Sequence, residues 1–469
     1  MFQTFRRNNY YLFDLNIFLL VIAYSVENLT NTVLIQDKIC LESFNQSEKF
    51  CIELNQLNPI DSDEVSIKNE ILQQSATFKN YYNLMQAIPM IVWSFFLGSF
   101  IDQHPKTIRY IVAWINLIGF VTVLLILLEA YLINLNPYFL LLNGLLFGLT
   151  GSISTVLTVI NQYIILNTEE EFRSIRFIIL QISLVIGLAT GSLIGGFLIN
   201  LSSTQIRNYN LNCFISLLIY SINFVTILLI KIGRHSTNEI VELKSKTKNS
   251  QRSVLKIVLR FFSLDHVRQT LFCLIRPRPN RSRSHIFILI SILFLLYVLY
   301  LGYDDLLFQF TQRVYDFDSE QYSRLAALTN LIPILPLLIA CYLLINVFKL
   351  HDGTILMVAM FCGVLQQTMI GSLPTSQFYL IAITIGSMFG LASIIVKTKL
   401  SKIVPSNEIG KIFSLTSILE ALSPSIGTLI FTLVFNANVD RYPTLPFHVG
   451  ASITILTTII IIFEELYFR

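Results

Sequence analysis

Glu27, Asp304, Asp305, Lys397 and Glu420 each interrupt a stretch of sequence that is otherwise almost wholly apolar. A charged group carried into lipid is expensive unless it meets water, a partner or a solute. Carboxylates in such places can take up and release protons, and a lysine can hold an anion. Residues 299–310 read LYLGYDDLLFQF, which sets Asp304 on one helical face with Tyr300 and Tyr297. Adjacent helical residues point about 100° apart, so Asp305 leaves that face and turns toward a neighbouring helix. Glu27 lies past the middle of its apolar run, where it suits a proton relay. Glu420 precedes Pro424 by four residues, and the proline removes the hydrogen bond to its carbonyl. Glu420 therefore reads as structural or gating.

The elements that position these groups are long apolar helices. Mean hydropathy is +0.65, with 54% hydrophobic and 13% charged residues, against about 25% charged in soluble domains. A membrane-crossing helix takes about 20 residues, and twelve candidate spans fall near 12–36, 81–101, 110–132, 138–166, 177–201, 210–232, 285–310, 325–347, 354–373, 378–396, 412–435 and 447–463. The expected fold is an all-α membrane protein with twelve transmembrane helices in two six-helix bundles. Residues 1–232 form the first bundle, with an outside loop at 37–80, and 285–469 form the second. Between them, 233–284 is a basic cytoplasmic linker containing KSKTKNSQRS and RPRPNRSRS. Within it, 254–275 has the pattern of an amphipathic helix on the inner membrane surface, where anionic lipid is a partner. Arg6 and Arg7 precede a run too long for a signal-peptide core, so the first helix is expected to remain as an anchor.

An even number of spans puts both termini on one side. With that side cytoplasmic, the inside segments hold most of the 33 lysines and arginines, as the positive-inside rule requires. The net charge of +4 follows from this asymmetry and gives no reason to invoke nucleic acid. Cys40 and Cys51 share the first outside loop and can form a disulfide there. The same loop carries the sequon Asn45-Gln46-Ser47, a glycosylation acceptor when outside.

Helical spacing separates interior faces from lipid-facing ones. Span four carries Gly144, Gly148, Gly151, Thr155, Thr158 and Gln162 in one small and polar stripe, suited to helix packing or to lining a cavity. Span ten repeats it with Gly386, Gly390, Ser393 and Lys397; span one offers Tyr24, Glu27, Asn28 and Asn31; span seven offers Tyr297, Tyr300 and Asp304. In span five, Ser183, Gly187, Gly191 and Gly195 recur every fourth residue, a packing pattern. Between spans two and three, GSFIDQHPKTIR supplies Gly98, Asp102 and Lys106 and resembles the major facilitator signature Gly-x-x-x-Asp-x-x-Gly-Arg-Arg/Lys, with Pro105 and Thr107 as departures. In that reading Asp102 pairs with a basic residue of a neighbouring cytoplasmic loop, Arg173 or Arg176, to lock a gate. EFRSIRF after span four and EIGKIF after span ten, the latter holding Glu408, mark equivalent points of the two halves.

TVLIQDKIC (32–40), FKNYYNLMQAIPMIVWSFFLGSFID (78–102), RSIRF (173–177), LDHVRQT (264–270) and KTKLSKIVPSNEIGKIFS (397–414) resemble solute carrier family 46, the proton-coupled folate transporter family. The resemblance implies a major facilitator fold and secondary transport by alternating access, often proton-driven, of folates, conjugated small molecules or cell-wall fragments. It also implies departures. The family's span-five glutamate, linked to proton coupling, matches Gln181; its span-seven histidine matches Tyr300, and its span-ten arginine matches Lys397. These replacements argue against folate as the solute and leave Glu27, Asp304 or Asp305 for any proton coupling.

The sequence thus points to a monomeric secondary transporter of a small, anionic organic solute in the plasma or lysosomal membrane, without a cofactor or metal. Tyr24, Asn31, Thr155, Tyr297, Tyr300, Ser393 and Lys397 are the candidate solute contacts. An uncoupled carrier or exporter is the alternative within transport, and a non-transporting receptor the alternative outside it. No histidine lies deep in a span and neither His-Glu-x-x-His nor Gly-x-Ser-x-Gly occurs, so an intramembrane enzyme is not expected.

Overall fold

The structure, a computed structural model, describes residues 10–52, 54, 62–103, 107–151, 155–156, 159–160, 163–164, 173–201, 206–229, 282–404 and 409–468. Every regular element among them is a helix, the form that satisfies its own backbone groups in lipid. The first half holds α1 (Tyr10–Lys38), α2 (Glu48–Ile52), α3 (Ser62–Gln103), α4 (Ile108–Tyr131), α5 (Leu141–Gly148), α6 (Arg173–Ile199) and α7 (Tyr209–Leu229). The second holds α8 (Ser282–Leu301), α9 (Leu307–Val314), α10 (Ser319–Leu331), α11 (Ile334–Tyr342) and α12 (Asp352–Ser372). It continues with α13 (Ser376–Gly386), α14 (Gly390–Ile403), α15 (Ile409–Asn438) and α16 (Leu445–Phe468).

Ten helical stretches among the described residues are long and apolar enough to cross a membrane. Side chains such as Leu128, Phe197, Val225, Leu335, Phe361 and Leu466 stand exposed on them, as lipid-facing residues do. The second span read from the sequence lies within α3, and the fourth begins before α5 and runs into residues outside the described set. So do most of the linker at 233–284 and Thr158, Gln162, Lys106 and Glu408.

Two cores divide the chain. Phe13, Val33, Ile111, Leu180 and Tyr220 belong to the first, and Leu289, Leu356, Ala392, Phe431 and Ile461 to the second. Each half also inserts into the other. Phe308 of α9 is buried in the first core, while Ala76 of α3 is buried in the second. The halves meet where α3 runs along α15 and α6 along α10.

Glycines permit the closest crossings. A Cβ on Gly302 would stand 2.7 Å from the Gly427 Cα, which brings the end of α8 against α15. One on Gly191 would stand 2.5 Å from Ser25 Cβ, so the glycine ladder of α6 is the face that packs on α1. Gly144 and Gly148 of α5 abut the α3 backbone at Tyr82 and Gln86, so their part of the span-four stripe serves packing.

At 42 residues, α3 is about 63 Å long, twice the thickness of a hydrocarbon core of about 30 Å. Residues 62–80, which the sequence reading leaves in the outside loop, are helical. They are amphipathic rather than apolar, so no hydrophobic run announces them. Cys40 and Cys51 form a disulfide beside Ile71 of this extension. We call this the disulfide-bearing end; Tyr10 and Phe468 lie at the other.

Candidate functional site

Of the polar groups that join helices among the described residues, three hold charged residues picked out from the sequence. The first joins α8, α14 and α15. Lys397 Nζ stands 2.5 Å from Glu420 Oε1, the Tyr297 hydroxyl donates to that same oxygen, and Lys397 also lies 5.5 Å over the Tyr297 ring. The Lys397 and Glu420 side chains are 31% and 22% exposed, so this pair remains open on one side. Their spacing follows from helical geometry: Tyr297 sits on the inward face of α8, and Glu420 lies one turn before Pro424.

The second group crosses between the halves. Asp305 lies in the turn at 302–306 that separates α8 from α9. Asn83 of α3 donates to its Oδ2 over 2.6 Å, and Lys79 of α3 stands 3.8 Å from its Oδ1. Lys79 is buried and anchored within its own half, donating to Asn28 Oδ1 and Thr32 Oγ1 of α1 over 3.3 and 3.1 Å. Nearby bonds extend this seam toward the disulfide-bearing end. Lys68 pairs with Asp316, Asn69 donates to Asp440, and Asn436 donates to Thr77.

The third group belongs to the first half alone. Glu27 accepts hydrogen bonds from Thr122 of α4 at 2.7 Å and Tyr220 of α7 at 2.6 Å. It ties α1 to two helices of its own bundle.

The remaining sequence candidates are placed as follows. Tyr24 stacks on Phe147 with ring centroids 5.3 Å apart. Asn31 is 1% exposed and neither amide atom has a partner; Thr155 is fully buried with its hydroxyl unpartnered. Ser393 donates to Gly390 O over 3.3 Å, one turn before Lys397. Tyr300 is 60% exposed, and Asp304 is exposed without a hydrogen bond or ion pair to a described residue. Gly98, Asp102, Arg173 and Arg176 lie on α3 and α6, with their side chains outside the described set. Asn45 is exposed in the loop that holds the disulfide.

Lys79 and Asn83 are the functional candidates that sequence reasoning missed. FKNYYN begins just before the apolar run of span two, so Lys79 passes for a loop cation. Its pattern within an amphipathic helical extension is the one local signal.

Comparison with known proteins accounts for this architecture. A Drosophila melanogaster protein named "Probable peptidoglycan muropeptide transporter SLC46" is 21% identical over 443 residues, covering 92% of this chain and 81% of its own. The human organic anion transporter MFSD10 (TETRAN) superposes with a TM-score of 0.61 at 14% identity, covering 96% of this chain and 98% of that one. A D-xylose-proton symporter superposes with a TM-score of 0.63 at 10% identity, covering 96% and 97%. Residues 64–428 match the family described as the Major Facilitator Superfamily. The chain is an integral membrane protein of the transporter class, not an enzyme, and it belongs to the Major Facilitator Superfamily.

Proposed function

We propose that this chain is a secondary carrier that moves a small organic anion by alternating access, closed at its disulfide-bearing end in this structure. The single observation that carries the reading is the Lys79–Asp305 pair, which joins the halves at 3.8 Å while Lys397 and Glu420 remain open. In rocker-type carriers the two repeats tilt about a fixed central site, so contacts between halves at one end must break when that end opens.

Magnitudes support a seam that breaks. At 3.8 Å and an effective dielectric near 20, the gross attraction is about 4 kcal/mol. Desolvation of each buried ion is a penalty of several kcal/mol in the other direction. The balance is close to zero, which suits a latch. Buried polar atoms without partners point the same way: Asn31 of α1 and Gln309 and Gln312 of α9 each carry one or more. Each costs about 1–3 kcal/mol while dry, and water entering an opened seam recovers it.

In this reading twelve spans cross the membrane, both termini are cytoplasmic, and Asn45 is glycosylated outside. The closed seam is then the outer gate, and Asp102 with Arg173 or Arg176, together with Glu408, serves the inner one. Lys397 supplies the positive charge for the solute, with Tyr297, Tyr300 and Ser393 beside it, and Glu420 holds the lysine when the site is empty. Proton coupling would use Glu27, Asp304 or Asp305. Asp305 is the best placed, because neutralising it cancels the attraction to Lys79. The carrier works as a monomer in the plasma or lysosomal membrane.

The test is uptake of a labelled organic anion into proteoliposomes, with and without an inward proton gradient. Saturable uptake that the gradient accelerates is expected. Saturable uptake indifferent to the gradient removes the coupling and leaves an uncoupled carrier; no uptake of any organic anion tried removes the carrier reading and favours a receptor.

A further inference from the structure

Lys38, the last residue of α1, holds the loop that follows α4. It is 1% exposed and donates to the main-chain carbonyls of Leu132, Ile133 and Leu135 over 2.9, 3.0 and 3.0 Å. Next in that loop, Asn136 Oδ1 accepts from the Tyr138 N–H over 2.9 Å, and the Tyr138 ring packs on Phe78 of α3 with centroids 5.6 Å apart. Between this loop, the residues just after α1 and the amphipathic first turns of α3 lies a cavity of about 470 Å³. Small-molecule sites run from about 300 to 1,000 Å³. The whole lining belongs to the first half and shares no residue with the Lys397–Glu420 group. Glu42, Ser43, Asn134 and Asn136 of the lining are exposed, so the cavity meets water at the disulfide-bearing end.

Two kinds of surface face the cavity. Phe78, Tyr81 and Tyr138 supply rings, with the two tyrosines 47% and 62% exposed. Gln74 and Asn134 supply amides, Ser43 a hydroxyl and Glu42 a carboxylate; among these described residues there is no lysine, arginine or histidine. Gln74, Phe78 and Tyr81 share one face of α3, opposite the face that carries Lys79 and Asn83 to the seam.

We propose that this cavity is a binding site for a neutral saccharide. The site stands whether or not the chain is a carrier, because it is built within one half and apart from the anion site.

The chemistry selects this ligand. A sugar ring presents C–H faces, which stack on the negatively polarised faces of aromatic rings. Its hydroxyls each donate and accept, and amide, hydroxyl and carboxylate groups match them. An anion would meet Glu42 and no cation. A compact ammonium ion suits rings and a carboxylate but leaves Gln74, Asn134 and Ser43 unmatched. The wall fixed by Lys38 needs little ordering when the ligand arrives, which lowers the cost of binding. A saccharide can come from two sources: the glycan expected on Asn45, two residues beyond Ser43, or a free sugar in the surrounding medium.

Saturation-transfer NMR on the purified full-length protein in lipid nanodiscs, before and after enzymatic removal of N-glycans, tests the site. The probes are N,N′-diacetylchitobiose, cellobiose, cellobiouronate and choline. At least one neutral disaccharide should bind saturably, and cellobiouronate about tenfold more weakly than cellobiose. Glu42→Gln should narrow that gap. Tyr81→Ala and Tyr138→Ala should each weaken the neutral sugar about tenfold, with Tyr138→Phe recovering it. Asn134→Trp, at an exposed loop position, should fill the cavity and abolish binding. Binding only after glycan removal supports the site with the protein's own sugar chain as occupant, and binding with the glycan in place supports it with a free saccharide. Failure of both neutral sugars to bind in either preparation overturns the proposal. So does sugar binding unchanged in both tyrosine-to-alanine variants in folded, monodisperse samples, or choline bound where neither sugar is.

Discussion

Lys79 of the first half and Asp305 of the second face each other at 3.8 Å, with Asn83 donating to the same carboxylate over 2.6 Å. Lys79 is already held by two side chains of α1, so the pair joins the rigid body of one half to the broken helix of the other. Lys79→Gln and Asp305→Asn should both favour the conformation open at this end. A single cysteine at Asn31, now 1% exposed, should then react with a membrane-impermeant thiol reagent about tenfold faster than in the parent protein. An unchanged rate in both variants would show that the pair holds nothing closed.

Lys397 is the one cation in the Tyr297–Glu420 group, and it is accessible. Replacing it with alanine removes a charge-assisted contact of about 1.5–3 kcal/mol. The KM for an anionic solute should rise about tenfold or more, with Lys397→Arg recovering most of it. Glu420→Gln frees the lysine and should lower KM or leave it in place. A rise in KM with Glu420→Gln comparable to that of Lys397→Ala would place the solute on the carboxylate instead.

Glu27 is buried and takes two hydroxyl donors from α4 and α7, so its first duty is to hold the bundle. Tyr220→Phe should destabilise the protein by about 1–3 kcal/mol, seen as a lower Tm in the purified protein, without altering the thiol reactivity of the seam. Glu27→Gln keeps the shape and some hydrogen bonding and should cost less. If Glu27→Gln instead removes gradient-driven uptake and leaves Tm intact, the glutamate carries the proton.

Most spans were legible because lipid-crossing helices must be apolar; Tyr297 and Lys397 stood out by helical spacing, and Glu420 by its place one turn before Pro424. The seam was not. Asn83 and Asp305 are 222 residues apart, and no local periodicity records which helix of one half lies along which helix of the other. Lys79 was hidden for a second reason: α3 starts at Ser62, and its amphipathic first turns resemble a loop when only apolar runs are counted. The small-residue stripe of span four was ambiguous for a third. Glycine that packs and glycine that lines a cavity look alike until the neighbour is known, and here Tyr82 and Gln86 of α3 fill the space beside Gly144 and Gly148.

Orientation has its own test. Asn45 is exposed in the loop at the disulfide-bearing end. Expressed in a eukaryotic cell, the protein should lose apparent mass on treatment with an N-glycosidase, and Asn45→Gln should abolish that shift. A protein that carries no glycan at this position, while a cysteine at Tyr10 labels from the outside, has the opposite topology.

The most direct measurement is a distance across the seam during transport. Spin labels on cysteines replacing Glu70 and Arg441, both exposed at the disulfide-bearing end, report whether α3 and the end of α15 part. Adding solute or changing pH should shift the population from the short separation of this structure toward one several ångströms longer, and Lys79→Gln should enrich the longer one. A single unchanging distance under every condition, in protein that still catalyses counterflow, would contradict alternating access about this seam.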